Sequence, residues 1–263
     1  MLTDTGMVRA QNEDAIEIRP EHGVVVLADG MGGYRAGEVA SGIAIQVVAD
    51  LLEKGMADFD WATPAERGER LMRLMVAAVE EANLTIFMQA QRDPQRCAGM
   101  GTTIVGTLFH HDKLIVAHVG DSRAYRFRDN FLEQITRDHS QVQEQVDAGL
   151  LSKQEARFAA NRNLVTRAMG IDSSVDVEIH EHATRTGDLY LICSDGLCDM
   201  LDDAEIAQIV GSPGASLDHL CDALVQRANG LGGLDNISVA LIQVDAITSD
   251  NPGLLGRMLD WVR

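Results

Sequence analysis

Basic residues are scarce in this chain. Lys and Arg total 22 against 40 Asp and Glu, a formal net charge of −18 over 263 residues. A surface of that sign repels a phosphate backbone instead of neutralising it, which argues against non-specific nucleic-acid binding. Docking to anionic lipid is disfavoured for the same reason. Proline is rare as well, with five residues and no Pro-rich linker, and this favours one domain over two. No apolar run approaches the ~20 residues needed to cross a bilayer. The opening Met1-Leu2-Thr3-Asp4 lacks a basic region followed by an apolar stretch, so no signal peptide is expected. Only four cysteines occur, Cys97, Cys193, Cys198 and Cys221, none in a C-x-x-C pair. They read as reduced packing thiols of a cytoplasmic protein. With 46% apolar and 24% charged residues, the composition is that of a globular chain and not of a disordered, collagenous or coiled-coil one.

What is present is a set of continuous apolar runs at 24–28, 103–109, 114–119, 189–193 and 238–244. Runs of this length with no polar alternation read as strands buried on both faces. Turn residues at 110–113 and at Asp129-Asn130 predict antiparallel hairpins. Helical spacing brings Val39, Ile43, Val47 and Leu51 onto one face. It does the same for Leu71, Leu74, Met75, Ala78, Ala82 and Ile86 within 65–91, and a third helix is expected over 217–228. Strands covered on both sides need helices or a second sheet as cover, so a layered α/β sandwich is expected. The Met-rich stretch 71–75 reads as core.

Aspartates mark the ends of these strands. Asp29 follows the first run and precedes Gly30-Met31-Gly32-Gly33. Asp121 follows Gly120, Asp195 follows Ser194 and precedes Gly196, and Asp235 comes just before the last run. An Asp-Gly pair is commonly a hairpin turn. After Asp29 and Asp195, however, helical patterns follow, from Ala36 and from Asp203. Two carboxylates 4–5 Å apart repel by about 3–4 kcal/mol at an effective dielectric near 20, so a converging set must protonate or hold cations. An all-oxygen, carboxylate-rich set suits Mg²⁺ or Mn²⁺, and no His/Cys spacing matches zinc. The glycines do not form a G-x-G-x-x-G or a P-loop. Glycine's conformational freedom lets the Gly30 carbonyl turn inward as a ligand. Near the N-terminus, Arg9 offers a planar fork for a phosphate monoester, with Asn12, Glu13 and Asp14 beside it. Glu13 and Asp14 could hold metal-bound waters.

Taken in order, these motifs resemble the metal-dependent protein phosphatase family (protein phosphatase 2C), in its bacterial Ser/Thr phosphatase branch. They are T-D-x-G-x-x-R-x-x-N-E-D at 3–14, D-G-M-G-G at 29–33, G-x-G-T-T at 99–103 and V-G-D-S-R-A-Y at 119–125. T-R-D-H-S at 136–140, T-R-A-M-G at 166–170, S-D-G-L at 194–197 and G-x-D-N-I-S at 233–238 complete the set. The resemblance implies an α+β fold, a four-layer α/β/β/α sandwich with two central, mainly antiparallel sheets. It implies a protein serine/threonine phosphatase that hydrolyses phosphoserine and phosphothreonine with water activated by two Mn²⁺ or Mg²⁺ ions. Asp29 would bridge the two ions and the Gly30 carbonyl would complete the first ion's protein ligands. Asp195 and Asp235 would hold the second. Glu13 and Asp14 would act through water, and Asp121 with Asp195 would match a third-metal position. Arg9 would bind phosphate, and Asn236 would support the loop of Asp235.

A domain over 1–246 is expected, with a mobile flap at about 139–163 and a short, helically spaced tail at 247–263. The expected partners are phosphorylated Ser/Thr proteins and a cognate Ser/Thr kinase, with neither nucleic acid nor membrane, and a monomer is expected. Two departures from the family pattern stand out. Met31 occupies a position where animal and plant members usually carry histidine, so water must protonate the leaving group. Ala159-Ala160 stands where the flap often shows His-Pro. Alternative functions are a catalytically silent phosphoprotein-binding module of the same fold, or a metallohydrolase acting on a small phosphoester. His180 and His182 read as an exposed strand face, His110-His111 as a hairpin turn, and His139 as a local hydrogen-bonding group.

Overall fold

The computed structural model describes residues 1–33, 35–57, 64–95, 97 and 99–246. The chain opens with β1 (Leu2–Asp4), β2 (Asp14–Arg19) and β3 (Val24–Met31), followed by two long helices, α1 (Ala36–Ala57) and α2 (Pro64–Arg92). Then come β4 (Gly101–Thr102), β5 (Ile104–His110), β6 (Lys113–Val119), β7 (Arg123–Arg128) and β8 (Phe131–Gln134). Two short helices, α3 (Gln141–Asp147) and α4 (Lys153–Ala156), precede β9 (Glu178–Ala183) and β10 (Leu189–Cys193). The last elements are α5 (Asp195–Cys198), α6 (Asp203–Val210), α7 (Leu217–Gly230) and β11 (Ile237–Gln243). One sheet has the order β1-β11-β10-β7-β8. The other runs β2-β3-β5-β6-β9, with β4 paired to β3. Every strand pair is antiparallel.

Alternation along the strands separates the layers. On β3, Val24, Val26 and Ala28 face a core shared with α1 and α2. Val25 and Leu27, between them, face a second core together with Tyr190 and Ile192 of β10. On β10, Leu189, Leu191 and Cys193 face a third core built with Ile206, Leu220 and Leu224 of α6 and α7. Successive side chains of a strand point to opposite faces, so each sheet is covered twice. Three stacked cores make four layers, helices outside and sheets inside, and the fold is an α/β/β/α sandwich. All four cysteines are free and buried.

The helix and strand expectations hold with small boundary shifts, but the face of α1 does not. The spacing predicts Val39, Ile43, Val47 and Leu51 as its buried side. Val39 is 42% exposed, and the fully buried apolar positions are Ala40, Ala44, Val48, Ala49 and Leu52. Ile43, Val47 and Leu51 pack only at the margin of that core. The cause is how closely α1 approaches β3. A Cβ built on Gly30 would lie 2.2 Å from the Gly37 carbonyl oxygen, so the sheet-facing side of the helix takes small residues and larger ones are displaced. The hairpin tips are found where expected, with His111 (φ 53°), Asp129 (φ 52°) and Asn130 (φ 61°) all left-handed. No helix among the described residues is long and apolar enough to cross a membrane. The helically spaced segment after Asn251 lies outside the described residues.

Candidate active site

Antiparallel pairing gathers the aspartates. Asp14 opens β2 directly opposite Asp29 of β3. The end of β10 lies beside the start of β11, with Cys193 opposite Val239, so the segments carrying Asp195 and Asp235 are neighbours although 40 residues of chain separate them. The helix expected from Asp203 onward is preceded by one that starts at Asp195 itself. Asp121 follows β6 and is buried.

Proton affinities register the crowding. Asp29 is pushed well above the usual carboxylate range, first by burial and then by the charges of Asp14, Asp195, Asp121 and Asp235. Asp195 is raised in the same way, by burial and then by Asp121, Asp199, Asp235 and Asp14. Burial lifts Asp14 to about 6, against hydrogen bonds from Ser238 and Ser194 that oppose the rise. Asp121 is lifted to about 7 by burial and by Asp138, and burial also raises Glu13. Asp14 Oδ1 and Asp195 Oδ1 are buried without a hydrogen-bond partner among the described residues. Buried carboxylate oxygens with neither donor nor counter-charge are costly. An oxygen-only donor set of this kind fits a hard divalent cation.

Asp235 is different. Its Oδ1 accepts the Asn236 N–H at 2.8 Å and its Oδ2 accepts Arg9 Nη2 at 2.6 Å. This ion pair was not foreseen from sequence, since Arg9 and Asp235 are 226 residues apart. The Arg9 side chain is 52% exposed, and the hydrogen bond to Asp235 is the main reason its pKa is raised.

The frame behind these groups is built from the same motifs. The Asp29 N–H donates to Thr103 Oγ1 at 3.0 Å, and Thr102 Oγ1 donates to the Asp29 carbonyl at 2.8 Å. Thr103 Oγ1 in turn meets Ser122 Oγ at 2.7 Å. Thus the 99–103 and 119–125 motifs hold the backbone of Asp29. Ser194 Oγ donates to Asp14 Oδ2 at 2.8 Å and accepts the Ser238 N–H at 3.0 Å. Asn236 joins the N-terminal segment to the loop before β11. Its Oδ1 accepts the Glu13 N–H at 2.8 Å, and its Nδ2 donates to the carbonyls of Thr5 and Gln11, each at 2.9 Å. A Cβ on Gly196 would lie 2.0 Å from the Asn236 carbonyl oxygen, so only glycine admits this contact.

Two cavities open on the cluster. One, of about 410 Å³, includes Asp121, Asp195, Arg123 and Asp138 and is also lined by residues of α3 and α4. The other, of about 430 Å³, is lined by Arg9, Glu13, Arg35 and Asn236. Arg162 reaches Asp199 at 3.4 Å and Arg157 reaches Asp202 at 3.6 Å, tying the segment after α4 to the loop regions around α5 and α6. Sequence reasoning passed over Asp138, which forms a two-pronged pair with Arg123 (Nε to Oδ1 2.9 Å, Nη2 to Oδ2 2.6 Å). It also passed over the grouping of His118, His139 and Glu178, whose ligand-type atoms lie within 4.8 Å of one another. Asp138 and His139 both lie in the T-R-D-H-S motif, which was the available signal. His180 lies on the edge strand β9 and bonds Glu178 Oε1 at 2.8 Å.

The family model for Protein phosphatase 2C matches residues 8–229. The chain belongs to the protein phosphatase 2C family. This phosphatase is 35% identical to the serine/threonine phosphatase stp of Listeria monocytogenes, over 92% of this chain and 94% of that one. It is 36% identical to the protein phosphatase PhpP of Streptococcus pneumoniae, over 93% and 96% of the two chains. The crystal structure of the Mycobacterium tuberculosis serine/threonine phosphatase PstP superposes with a TM-score of 0.82 at 36% identity, covering 93% of this chain and 97% of that one. A structure of the PstP catalytic domain in complex with two manganese ions matches with a TM-score of 0.78 at 36% identity, over 93% and 96% of the chains. This phosphatase is a metal-dependent hydrolase acting on phosphoric monoesters.

Proposed function

We propose that the chain dephosphorylates phosphoserine and phosphothreonine in proteins, in opposition to a bacterial Ser/Thr kinase, using two Mn²⁺ or Mg²⁺ ions held by its carboxylate cluster. The observation that carries this reading is the pair of orphaned oxygens, Asp14 Oδ1 and Asp195 Oδ1, in a cluster where burial makes Asp14, Asp29, Asp121 and Asp195 hold their protons too tightly. Asp29, in the middle of the set, would be shared by both ions, and the Gly30 carbonyl would help hold the first. Asp195 and Asp235 would hold the second ion. Glu13 and Asp14 would act through water, and Asp121 with Asp195 would offer a third position. Bound divalent ions supply Lewis acidity, which acidifies water toward neutral pH and offsets phosphoryl charge. Mn²⁺ and Mg²⁺ accept the same oxygen donors.

The chain's own groups do the rest. Arg9 is exposed enough to present its fork to the phosphoryl oxygens while its contact with Asp235 keeps it at the rim. Asn236 holds the Glu13 and Asp235 segments together. Met31 has no proton to donate, so the leaving alkoxide takes its proton from solvent. Cys193 is buried in a strand and supplies no nucleophile, and attack by water in a single step needs none. Residues 1–246 form the phosphatase unit of a cytoplasmic, monomeric signalling enzyme, with 139–163 as its flap.

The Asp195→Asn variant is expected to lose Mn²⁺-dependent hydrolysis of a phosphothreonine peptide while its melting temperature in chelator is no lower than that of the unsubstituted protein. Retained activity would remove Asp195 from the site. Comparing rates on that peptide and on a free phosphomonoester tests the substrate class, and a preference for the small ester would overturn the protein-phosphatase reading.

A further inference from the structure

His139 stands at the root of the flap and touches the Asp121 segment twice. Its backbone N–H donates to the Gly120 carbonyl at 2.9 Å, and its Nδ1 accepts the Gly120 N–H at 3.1 Å. Gly120 has little room to respond otherwise. It sits at φ +108°, and a Cβ there would lie 2.6 Å from Thr103 Cγ2. Its neighbour Asp121 therefore takes its position from a clamp with Thr103 on one side and His139 on the other. The same residue closes the flap, because the His139 carbonyl accepts the Thr166 N–H at 2.8 Å. Its ring is 5% exposed as a residue and stacks on His118, centroids 4.7 Å apart and planes 12° apart.

The protons on these rings follow from their partners. The Gly120 N–H requires a lone pair at His139 Nδ1, so in the neutral ring Nε2 carries the hydrogen. That N–H faces Glu178 Oε2 at 3.2 Å. Glu178 is a firm acceptor: burial pulls its pKa upward, yet hydrogen bonds from His180 and His139 hold it at about 2. A metal among His118, His139 and Glu178 would need a lone pair where the His139 Nε2 hydrogen lies. The Arg167 guanidinium, 3.2 Å from the same nitrogen, would repel it. His118 donates Nε2–H to the Arg137 carbonyl at 2.8 Å, and its Nδ1 is buried without a partner among the described residues. That ring is suited to ligation, but its neighbour is not.

We propose that His139, oriented by Glu178, is a positioning residue that couples the flap root to the Asp121 carboxylate and so sets how well the Asp121–Asp195 position holds its ion. The inference rests on the metal reading given under Proposed function.

Manganese binding to the intact protein, followed by calorimetry alongside amide hydrogen exchange in chelator, tests it. In His139→Leu the weakest-bound Mn²⁺ is expected to lose about tenfold in affinity, in line with the 10–100-fold cost of removing outer-shell partners of metal ligands. The tighter ions should be unaffected. The Gly120 and Thr166 amides should exchange faster. His139→Asn, whose side-chain oxygen falls near the place of Nδ1, should recover most of both signals. Glu178→Ala leaves the ring in place and should move affinity in the same direction by less, which covers a His139→Leu protein that fails to fold. A Leu variant with wild-type ion affinity overturns the proposal. So does an Asn variant as weak as the Leu variant, since packing rather than the acceptor would then be at work. Visible d–d bands on adding Co²⁺ that vanish in His118→Ala would make the cluster a ligand set and overturn it too. A wild type that binds no manganese sinks the metal reading and this inference together, whereas an unaffected Leu variant sinks only the latter.

Discussion

Asp14 and Asp29 are directly opposed on adjacent strands, where like charges are destabilising. In the absence of ions, protons relieve that strain, and this gives the chelated protein an unusual pH dependence. A carboxyl whose pKa rises on folding binds its proton more tightly in the folded state than in the unfolded chain. Between the ordinary range near pH 4 and the raised values, about 6 for Asp14 and about 7 for Asp121, the folded state holds more protons and stability falls as pH rises. Depressed carboxyls such as Glu178, at about 2, add a nearly constant amount above that ordinary range. Buried His118 and His139, whose pKa values are lowered by burial, oppose the trend closer to pH 7. The melting temperature in chelator is therefore expected to drop from about pH 4 to about pH 6. With Mn²⁺ the ligands are ionised, so the ion's stabilisation should grow over the same interval. Melting curves with and without chelator check both signs, and a chelated protein that gains stability between those pH values would contradict the reading of the cluster.

At the scale of elements, α1 repays comparison with its own sequence. Val39, Ile43, Val47 and Leu51 form the more hydrophobic stripe, yet the face against β3 is Ala40, Ala44 and Val48. Apolar periodicity reports that a helix is amphipathic, but it does not report how close the neighbouring strand will come. Here the Gly30–Gly37 approach sets that distance, and small side chains follow. Ala44→Leu is expected to cost about 1–3 kcal/mol by overpacking. Val39→Leu, at a 42% exposed position, should stay within about 0.5 kcal/mol. Urea unfolding of the two variants checks the difference, and equal effects would mean that the facing has been misjudged. The long runs that became β3, β5, β6, β10 and β11 were legible because they are buried on both sides. Strands such as β2 (DAIEIR) and β9 (EIHEHA) lie at the sheet edges, where one partner is missing and polar residues are tolerated, so their pattern was weak.

For the molecule as a whole, charge is the governing quantity. Two divalent ions reduce −18 only to −14, so the long-range field still attracts cations after both are bound. Ion uptake should weaken as ionic strength rises, since the Debye length falls from about 10 Å at 0.1 M to about 3 Å at 1 M. Calorimetric titration of Mn²⁺ at low and high NaCl measures this. An affinity that is flat across that range would assign binding to the local ligands alone.

The amino-acid sequence by itself marked the residues of the proposed site: aspartates at the ends of buried strands, glycines beside them, and one arginine near the N-terminus. It could do so because burial on two faces and turn chemistry are local properties, written over a few consecutive residues. Only the tertiary structure decided which carboxylate oxygens are left without partners, that Arg9 rests on Asp235, and that His139 grips Gly120. Those facts depend on contacts between segments from 19 to 226 residues apart. Such contacts arise when two twisted sheets bring their strand ends to one place, and no stretch of sequence encodes that alone.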